Sequence, residues 1–331
     1  MEDLVSIIIP AYNAEKFIGE CLEKVLEQDY ENIEVVVMND GSSDSTLEIA
    51  TRYSKIDSRI KVYSQENSGS SVARINGAMK SNGKYILFLD SDDFFMKDAI
   101  SKLVNVAHKY DTDLIKFRLQ RYPECTPQPL IIGNKEEDVV VYKEEFKEKI
   151  YPLFINTYNL NPNGTLMVKR SCFKIKDVES YYKLRFAEDL KLSLELFDNA
   201  LSVTIISDVL YNYFTNYSSA TKSNNIDKIL YNMGNFITVY SLMYKYLEKW
   251  KIDTEENLKK LNLKVLREIA TFYTKIKLSD DVEFIKNNKE KIKNMIYSDI
   301  VLNAIDSVNE EDLDKNDKYY NSLIAIYKKS I

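Results

Sequence analysis

The stretch Lys84–Asp93, KYILFLDSDD, decides how the rest of the chain is read. Tyr85–Leu89 has the length and apolar, aromatic-rich composition of a buried strand. It ends abruptly in Asp90, Ser91, Asp92 and Asp93. In open α/β sheets, ligands bind beyond the carboxyl ends of the strands. Carboxylates gathered there repel one another unless a cation neutralises them. A hard divalent ion, held by one or two carboxylates and by substrate phosphate oxygens, does so. The competing reading makes Asp93 the cap of a helix Phe94–Lys109. One aspartate suffices for a cap, and three exceed that need.

Upstream, the same strand-then-polar pattern recurs. Val5–Ile9 reads as a buried strand closed by Pro10-Ala11-Tyr12-Asn13, and Glu15–Leu26 has apolar residues at helical spacing. Ile33–Met38 is a second strand, ending in Asn39-Asp40-Gly41. Ser43 or Asp44 caps the helix that follows, to about Tyr53. Ile60–Tyr63 is a third strand, Gln65–Ser71 a polar turn and Val72–Lys80 a helix. Alternation of this kind within about 90 residues predicts an α/β fold, with a Rossmann-like, mostly parallel sheet flanked by helices. Three strand ends then face one crevice.

Downstream, Asp113–Phe117, Val139–Tyr142, Gly164–Val168, Leu201–Ile206 and Asp208–Phe214 read as further strands, and Lys143–Ile155 as a helix. Tyr122–Asp138, with three prolines, reads as a loop. Glu188-Asp189 opens a helix Leu190–Phe197. No proline occurs after Pro162, and from Ile226 two apolar stripes at helical spacing predict an all-helical C-terminal region. The domains expected are 1–220, with a nucleotide half to about 95 and an acceptor half beyond, and 221–331.

The 331 residues carry a net charge of −6, with 45% hydrophobic content. That gives no electrostatic case for nucleic acid. Three widely spaced cysteines and one histidine argue against a disulfide frame or a zinc site. The apolar run at the N-terminus is too short for a signal peptide, and no stretch approaches a membrane span. A cytoplasmic protein is expected, in which the glycosylation patterns at Asn163-Gly-Thr and Asn216-Tyr-Ser carry no meaning.

Individual residues admit two readings. Asp40 can accept a hydrogen bond from a nucleobase ring N–H, or simply shape its loop. Arg74 can approach a diphosphate, or lie on a helix surface. Glu188-Asp189 can supply a general base, or merely suit the positive end of a helix. No GxxxxGK[ST] or GxGxxG loop is present, which leaves kinase and dinucleotide readings weak.

Taken together, Val5–Asn13 (VSIIIPAYN), Val37–Thr46 (VMNDGSSDST), Asn67–Gly77 (NSGSSVARING) and Lys84–Asp93 resemble family 2 glycosyltransferases of the GT-A fold in order and spacing. The resemblance covers roughly residues 4–220. It implies inverting transfer from a nucleotide sugar. Pro10, Ala11, Tyr12, Asn13 and Asp40 would line the base and ribose site, with Asn67, Gly69 and Arg74 nearby. Asp90, Ser91 and Asp92 would form the DxD motif, with Asp90 on ribose or sugar, Asp92 on Mn²⁺ or Mg²⁺, and Asp93 near the donor sugar. Asp189 would be the base, with Glu188 orienting it or binding acceptor. The expected donor is a UDP-sugar (GlcNAc, glucose or galactose), and the acceptor a surface glycan, glycolipid or protein.

One departure stands out. Many relatives carry arginine or histidine after the strand that ends here in Phe214-Thr215-Asn216, which leaves Lys222 or another cation to face the diphosphate. An aspartate-nucleophile phosphatase also places DxD after a strand, but on its first strand and with threonine where Phe94 stands. A non-catalytic sugar-nucleotide or glycan-binding module would not need Asp90, Asp92 and Asp189 together. For the helical region, acceptor binding, contact with the inner face of the membrane and homo-oligomerisation are all open.

Overall fold

The computed structural model describes residues 2–132, 137–161, 163–182, 184–215 and 225–329. Lys222 and Asn216 lie outside the described residues. The chain divides into two compact units, 1–153 with 157–215, and 154–156 with 216–331.

In the first unit, β1 (Val5–Ala11), β2 (Ile33–Asn39), β3 (Ile60–Ser64) and β4 (Tyr85–Phe88) alternate with α1 (Ile18–Leu26), α2 (Thr46–Ile56) and α3 (Ser70–Lys80). β1 and β2 are buried along their whole length, as their continuous apolar runs require. These four strands are parallel, in the order β3-β2-β1-β4. Their core, Ile7, Ile9, Val35, Val37 and Leu87, packs with Ile18, Leu22 and Val25 of α1.

Beyond β4 the sheet continues through β5 (Phe94–Phe95), β6 (Leu114–Tyr122), β7 (Thr126–Pro127), β8 (Val139–Tyr142), β9 (Leu166–Lys169) and β10 (Ser202–Phe214). The order runs β4-β9-β6-β10-β5, with β7 on β6 and β8 on β10. β9 is antiparallel to both neighbours, whereas β6 and β10 are parallel. The helices of this half are α4 (Ala99–Tyr110), α5 (Phe146–Lys149) and α7 (Glu188–Asn199), and α6 (Tyr151–Asn156) begins in it and ends in the second unit.

Several sequence expectations are corrected here. Phe94 and Phe95 form a short strand on β10, and the helix starts only at Ala99. The helix read over Lys143–Ile155 is broken into a 3₁₀ turn, α5 and α6, with Pro152 in the first turn of α6. Gly164 belongs to a 3₁₀ turn, Asn163–Thr165, and the strand begins at Leu166. Leu201–Ile206 and Asp208–Phe214 are one strand, β10, whose pairing with β6 shifts register on either side of Val209. The expected loop after Tyr122 folds back as a hairpin, β7 pairing with Gln120 and Arg121.

The second unit is helical: α8 (Ile226–Trp250), α9 (Glu255–Lys277), α10 (Val282–Asn287), α11 (Lys289–Ile296), α12 (Asp299–Asp306) and α13 (Tyr320–Tyr327). Asn225 and Thr254 cap α8 and α9 by accepting the N–H groups of Lys228 and Asn257. Leu261, Val265, Ile269 and Phe272 of the expected stripe are buried, and Phe272 packs against Phe236. Among the described residues no helix is long and apolar enough to cross a membrane.

Candidate active site

At the carboxyl end of β2, Asp40 is 3% exposed. Its Oδ1 accepts the Gln65 amide and the Ser68 N–H, both at 2.8 Å, and its Oδ2 accepts the Gly69 N–H at 2.8 Å. Gly69 presents that N–H at φ +98°, a conformation left to glycine, and a Cβ there would run into the Arg185 guanidinium. Arg185 donates to Ser68 O at 2.7 Å and to Asn67 Oδ1 at 3.3 Å, while Asn67 donates to Asp40 O at 3.0 Å. The loop is thereby closed upon itself. Next to it, Pro10 and Ala11 are buried in β1, and Asn13 takes the Ser43 N–H at 2.9 Å. Tyr12 is left 53% exposed.

A second cluster centres on Arg74, 6% exposed on α3. Its Nη2 donates to Asp90 Oδ1 at 2.5 Å and its Nη1 to Asp189 Oδ1 at 3.1 Å. Burial alone would weaken the guanidinium charge, but Asp90 and Asp189 outweigh it and hold the pKa above its ordinary value. Asp189 Oδ1 also accepts the Asn163 amide at 3.0 Å, and Ser193 fixes that amide by donating to its Oδ1 at 3.0 Å. Glu188 accepts the Ser70 hydroxyl at 3.1 Å. Burial, with the charges of Glu188 and Asp90, pushes the Asp189 carboxyl up to about 7 against the pull of Arg74 and Asn163. The Asp189 side chain nevertheless keeps 41% exposure, because it opens onto a cavity.

That cavity, about 780 Å³, brings Arg74, Asp90, Asp93 and Asp189 together with the 163–165 turn, Tyr211, Tyr213 and the β6–β7 hairpin. Asp93 is 1% exposed, accepting the Tyr211 hydroxyl at 2.5 Å and the Phe214 N–H at 2.7 Å. Burial and then the charges of Asp90 and Asp92 push it up to about 8. Asp92 lines a smaller adjoining cavity of about 150 Å³ with Lys16, Phe17 and Cys21. Ser91 lies between the two aspartates, partly buried. Pro10, Tyr12, Asp40, Asn67, Gly69 and Glu188 do not line the larger cavity.

The donor set suits a hard cation. Burial and the negative charge of Asp90 raise Asp92, and a positive charge beside it would offset that repulsion and favour the ionised carboxylate. Among the described residues no three His, Cys, Asp or Glu side chains form a ready-made cage. An ion on Asp92 would complete its shell from ligand phosphate, the usual Mg²⁺ arrangement.

Sequence reasoning passed over Tyr211, Arg185 and Lys116. It placed Asn163 in a glycosylation pattern and in the Asn161–Thr165 loop expected to shape the donor pocket, but gave it no contact with the base; it is 2% exposed and bonded to Asp189. Gly164 was the available signal, since a glycine in an apparent strand marks close approach. A Cβ there would stand 2.7 Å from the Tyr211 ring.

The parallel four-stranded half and its mixed extension, with acidic residues at the strand ends, have the layout of a GT-A fold. Residues 6–170 match the profile of glycosyl transferase family 2, and the chain belongs to that family. It is 34% identical over 224 residues to an uncharacterized glycosyltransferase, EpsJ, of Bacillus subtilis, covering 67% of this chain and 64% of that one. It is 29% identical over 224 residues to the glycosyltransferase GlyA of Streptococcus pneumoniae, covering 64% of this chain and 31% of that one. The chain thus spans less than two thirds of the length of either relative. Its fold is similar to a crystal structure of S. aureus TarS 1-349 in complex with UDP, with TM-score 0.64 and 22% identity over 93% of this chain and 81% of that one.

Proposed function

We propose that this chain is an inverting glycosyltransferase that moves a sugar from a UDP-sugar to a hydroxyl of a glycan, glycolipid or protein acceptor. The observation that carries this reading is the Asp90–Arg74–Asp189 bridge at a cavity, with the Asp189 carboxyl lifted to about 7. A base of that strength works near neutral pH. Asp189 takes the proton of the acceptor hydroxyl, whose oxygen attacks the anomeric carbon. The bond from that carbon to the diphosphate oxygen breaks, and the nucleoside diphosphate leaves with the electron pair. One displacement inverts the anomeric configuration. Asn163 holds Asp189 in place by its hydrogen bond, and the negative charge of Glu188 raises its basicity. A divalent ion on Asp92 (Mn²⁺ or Mg²⁺) supplies charge to the leaving diphosphate when bound.

The exposed ring of Tyr12 offers a stacking face for the base, and Asp40 Oδ2, which takes one N–H, retains capacity for a second donor. Arg121, the other guanidinium in the cavity lining, is the described cation that stands in for the missing basic residue near Phe214. UDP is favoured because the similar TarS structures hold UDP and UDP-GlcNAc. Use of a nucleotide sugar points to the cytoplasm, with the inner membrane face or a second copy as sites for the helical unit.

The test is thermal shift with UDP, GDP, dTDP and CDP, with and without Mn²⁺, on wild type and Asp92→Ala. A ligand that binds only the folded state raises the melting point by mass action. UDP with Mn²⁺ is expected to stabilise wild type alone. Failure of every nucleotide at millimolar concentration would overturn the donor assignment.

A further inference from the structure

Lys116 is the third residue of β6, paired in register with Leu166 of β9 and Ile205 of β10, and is fully buried. Lysine almost never occupies such a place without a role for its charge. Its neighbours Ile115 and Phe117 belong to the core that includes α1 and α4. Alternation along the strand turns Lys116 to the other face. There its ammonium donates to the Thr165 hydroxyl. Thr165 closes the 3₁₀ turn whose first residue, Asn163, donates to Asp189 Oδ1, and whose Gly164 lies against the Tyr211 ring. A buried cation thus grips the turn that holds the candidate base.

We propose that Lys116 is a positioning residue for Asp189: it anchors the 163–165 turn, and its charge favours the ionised carboxylate. This rests on reading Asp189 as the base. The charged groups acting on Asp189 are Arg74 of α3, Asp90 after β4, Glu188 of its own helix and Lys116 of β6. Arg74 is shared between two carboxylates, so it offsets the charges of Asp90, Glu188 and Asp189 incompletely. Burial pulls the Lys116 ammonium down to about 7, and the negative charge of Asp189 opposes that pull. Each ionised group therefore favours the other, and the pair titrates together.

The test uses Lys116→Met, which keeps an unbranched buried stem and removes the charge. In protein labelled with ¹³C at aspartate carboxyls, the Asp189 signal, assigned with Asp189→Asn, is expected to titrate about one unit higher in this variant. UDP release from UDP-GlcNAc with Mn²⁺ falls roughly fivefold at pH 7 and recovers towards pH 9, while the donor KM stays within about twofold. Thr165→Val removes the anchor but keeps the charge. It lowers kcat several-fold (order of magnitude from a lost buried hydrogen bond) at every pH without moving the midpoint. An unmoved Asp189 midpoint in Lys116→Met, or a rate loss equal at every pH, would overturn the proposal. If Lys116→Met does not fold, the wild type decides. There the Lys116 Cε and Asp189 carboxyl signals must respond to the same pH step, and independent titration overturns it. If wild type releases no UDP from UDP-GlcNAc, UDP-glucose or UDP-galactose, the transferase reading fails separately. The carboxyl titration still tells whether Lys116 governs Asp189.

Discussion

Asp40 and Asp189 both stand at the ends of secondary-structure elements, and the protein treats them in opposite ways. Asp40 is closed in by two backbone N–H groups and one side-chain amide, all at 2.8 Å. Asp189 shares one guanidinium with Asp90, has Glu188 beside it and opens onto a cavity. The first carboxylate is pinned by its own fold and shapes a loop, with room on Oδ2 for one further donor. The second is left with more negative charge around it than positive, and so is ready to take a proton. Dipoles fixed by the backbone serve permanence, and unbalanced charge serves reaction.

The largest expected effect tests the reactive side of this contrast. Asp189→Asn should lower sugar transfer by about 10²–10⁴-fold, the range for removing a general base. The thermal shift with UDP should persist in that variant. Equal loss of UDP binding would mean that Asp189 holds the ligand, and the contrast would narrow. Asp40→Asn tests the other side. It turns one accepting oxygen into a donor against an N–H, costing about 1–3 kcal/mol in urea denaturation. A variant as stable as wild type would show that the loop does not depend on its carboxylate.

The smallest effect is on stability against pH, and it has two signs. Burial opposes ionisation of Glu34, but Lys61, the Asn82 and Gly83 N–H groups and the Ser6 hydroxyl outweigh it and hold the carboxyl down at about 2. Its contribution is present above its unfolded value of 4.5 and is lost as pH falls through about 2. Asp189 is raised, so the folded state holds its proton more tightly than the unfolded chain. That contribution is present below the ordinary carboxylate range and is lost as pH rises through about 7. Urea midpoints measured from pH 2 to 8 should rise and then sag, and Asp189→Asn should remove only the sag.

The halves of the first unit differ in how far the sequence disclosed them. Strands β1 to β4 are local apolar runs punctuated by polar ends, and periodicity finds them. Later elements depend on distant partners. Asp93 looks like a helix cap, yet its oxygens are taken by Tyr211 and Phe214, 118 and 121 residues away. Phe94 and Phe95 consequently pair with β10 and delay the helix to Ala99. The division at Ser207 is absent because β10 absorbs it in a register shift against β6. In the site, Asp90, Arg74 and Asp189 were legible as motif residues. Their mutual contact was not, since Arg74 and Asp189 are 115 positions apart. Lys116 gave no signal at all, because a lysine in an apolar run usually marks a strand edge or an exposed face.

The guanidinium of Arg74 also acts as a spacer. Its two terminal nitrogens are a rigid, planar pair, and each is committed to a different carboxylate. The gap between Asp90 after β4 and Asp189 in the first turn of α7 is therefore set by the dimensions of one delocalised cation. A lysine would supply the same charge through a single nitrogen and leave that gap free to vary. Arginine here works as a gauge, and any molecule bound between the two acids must match its width.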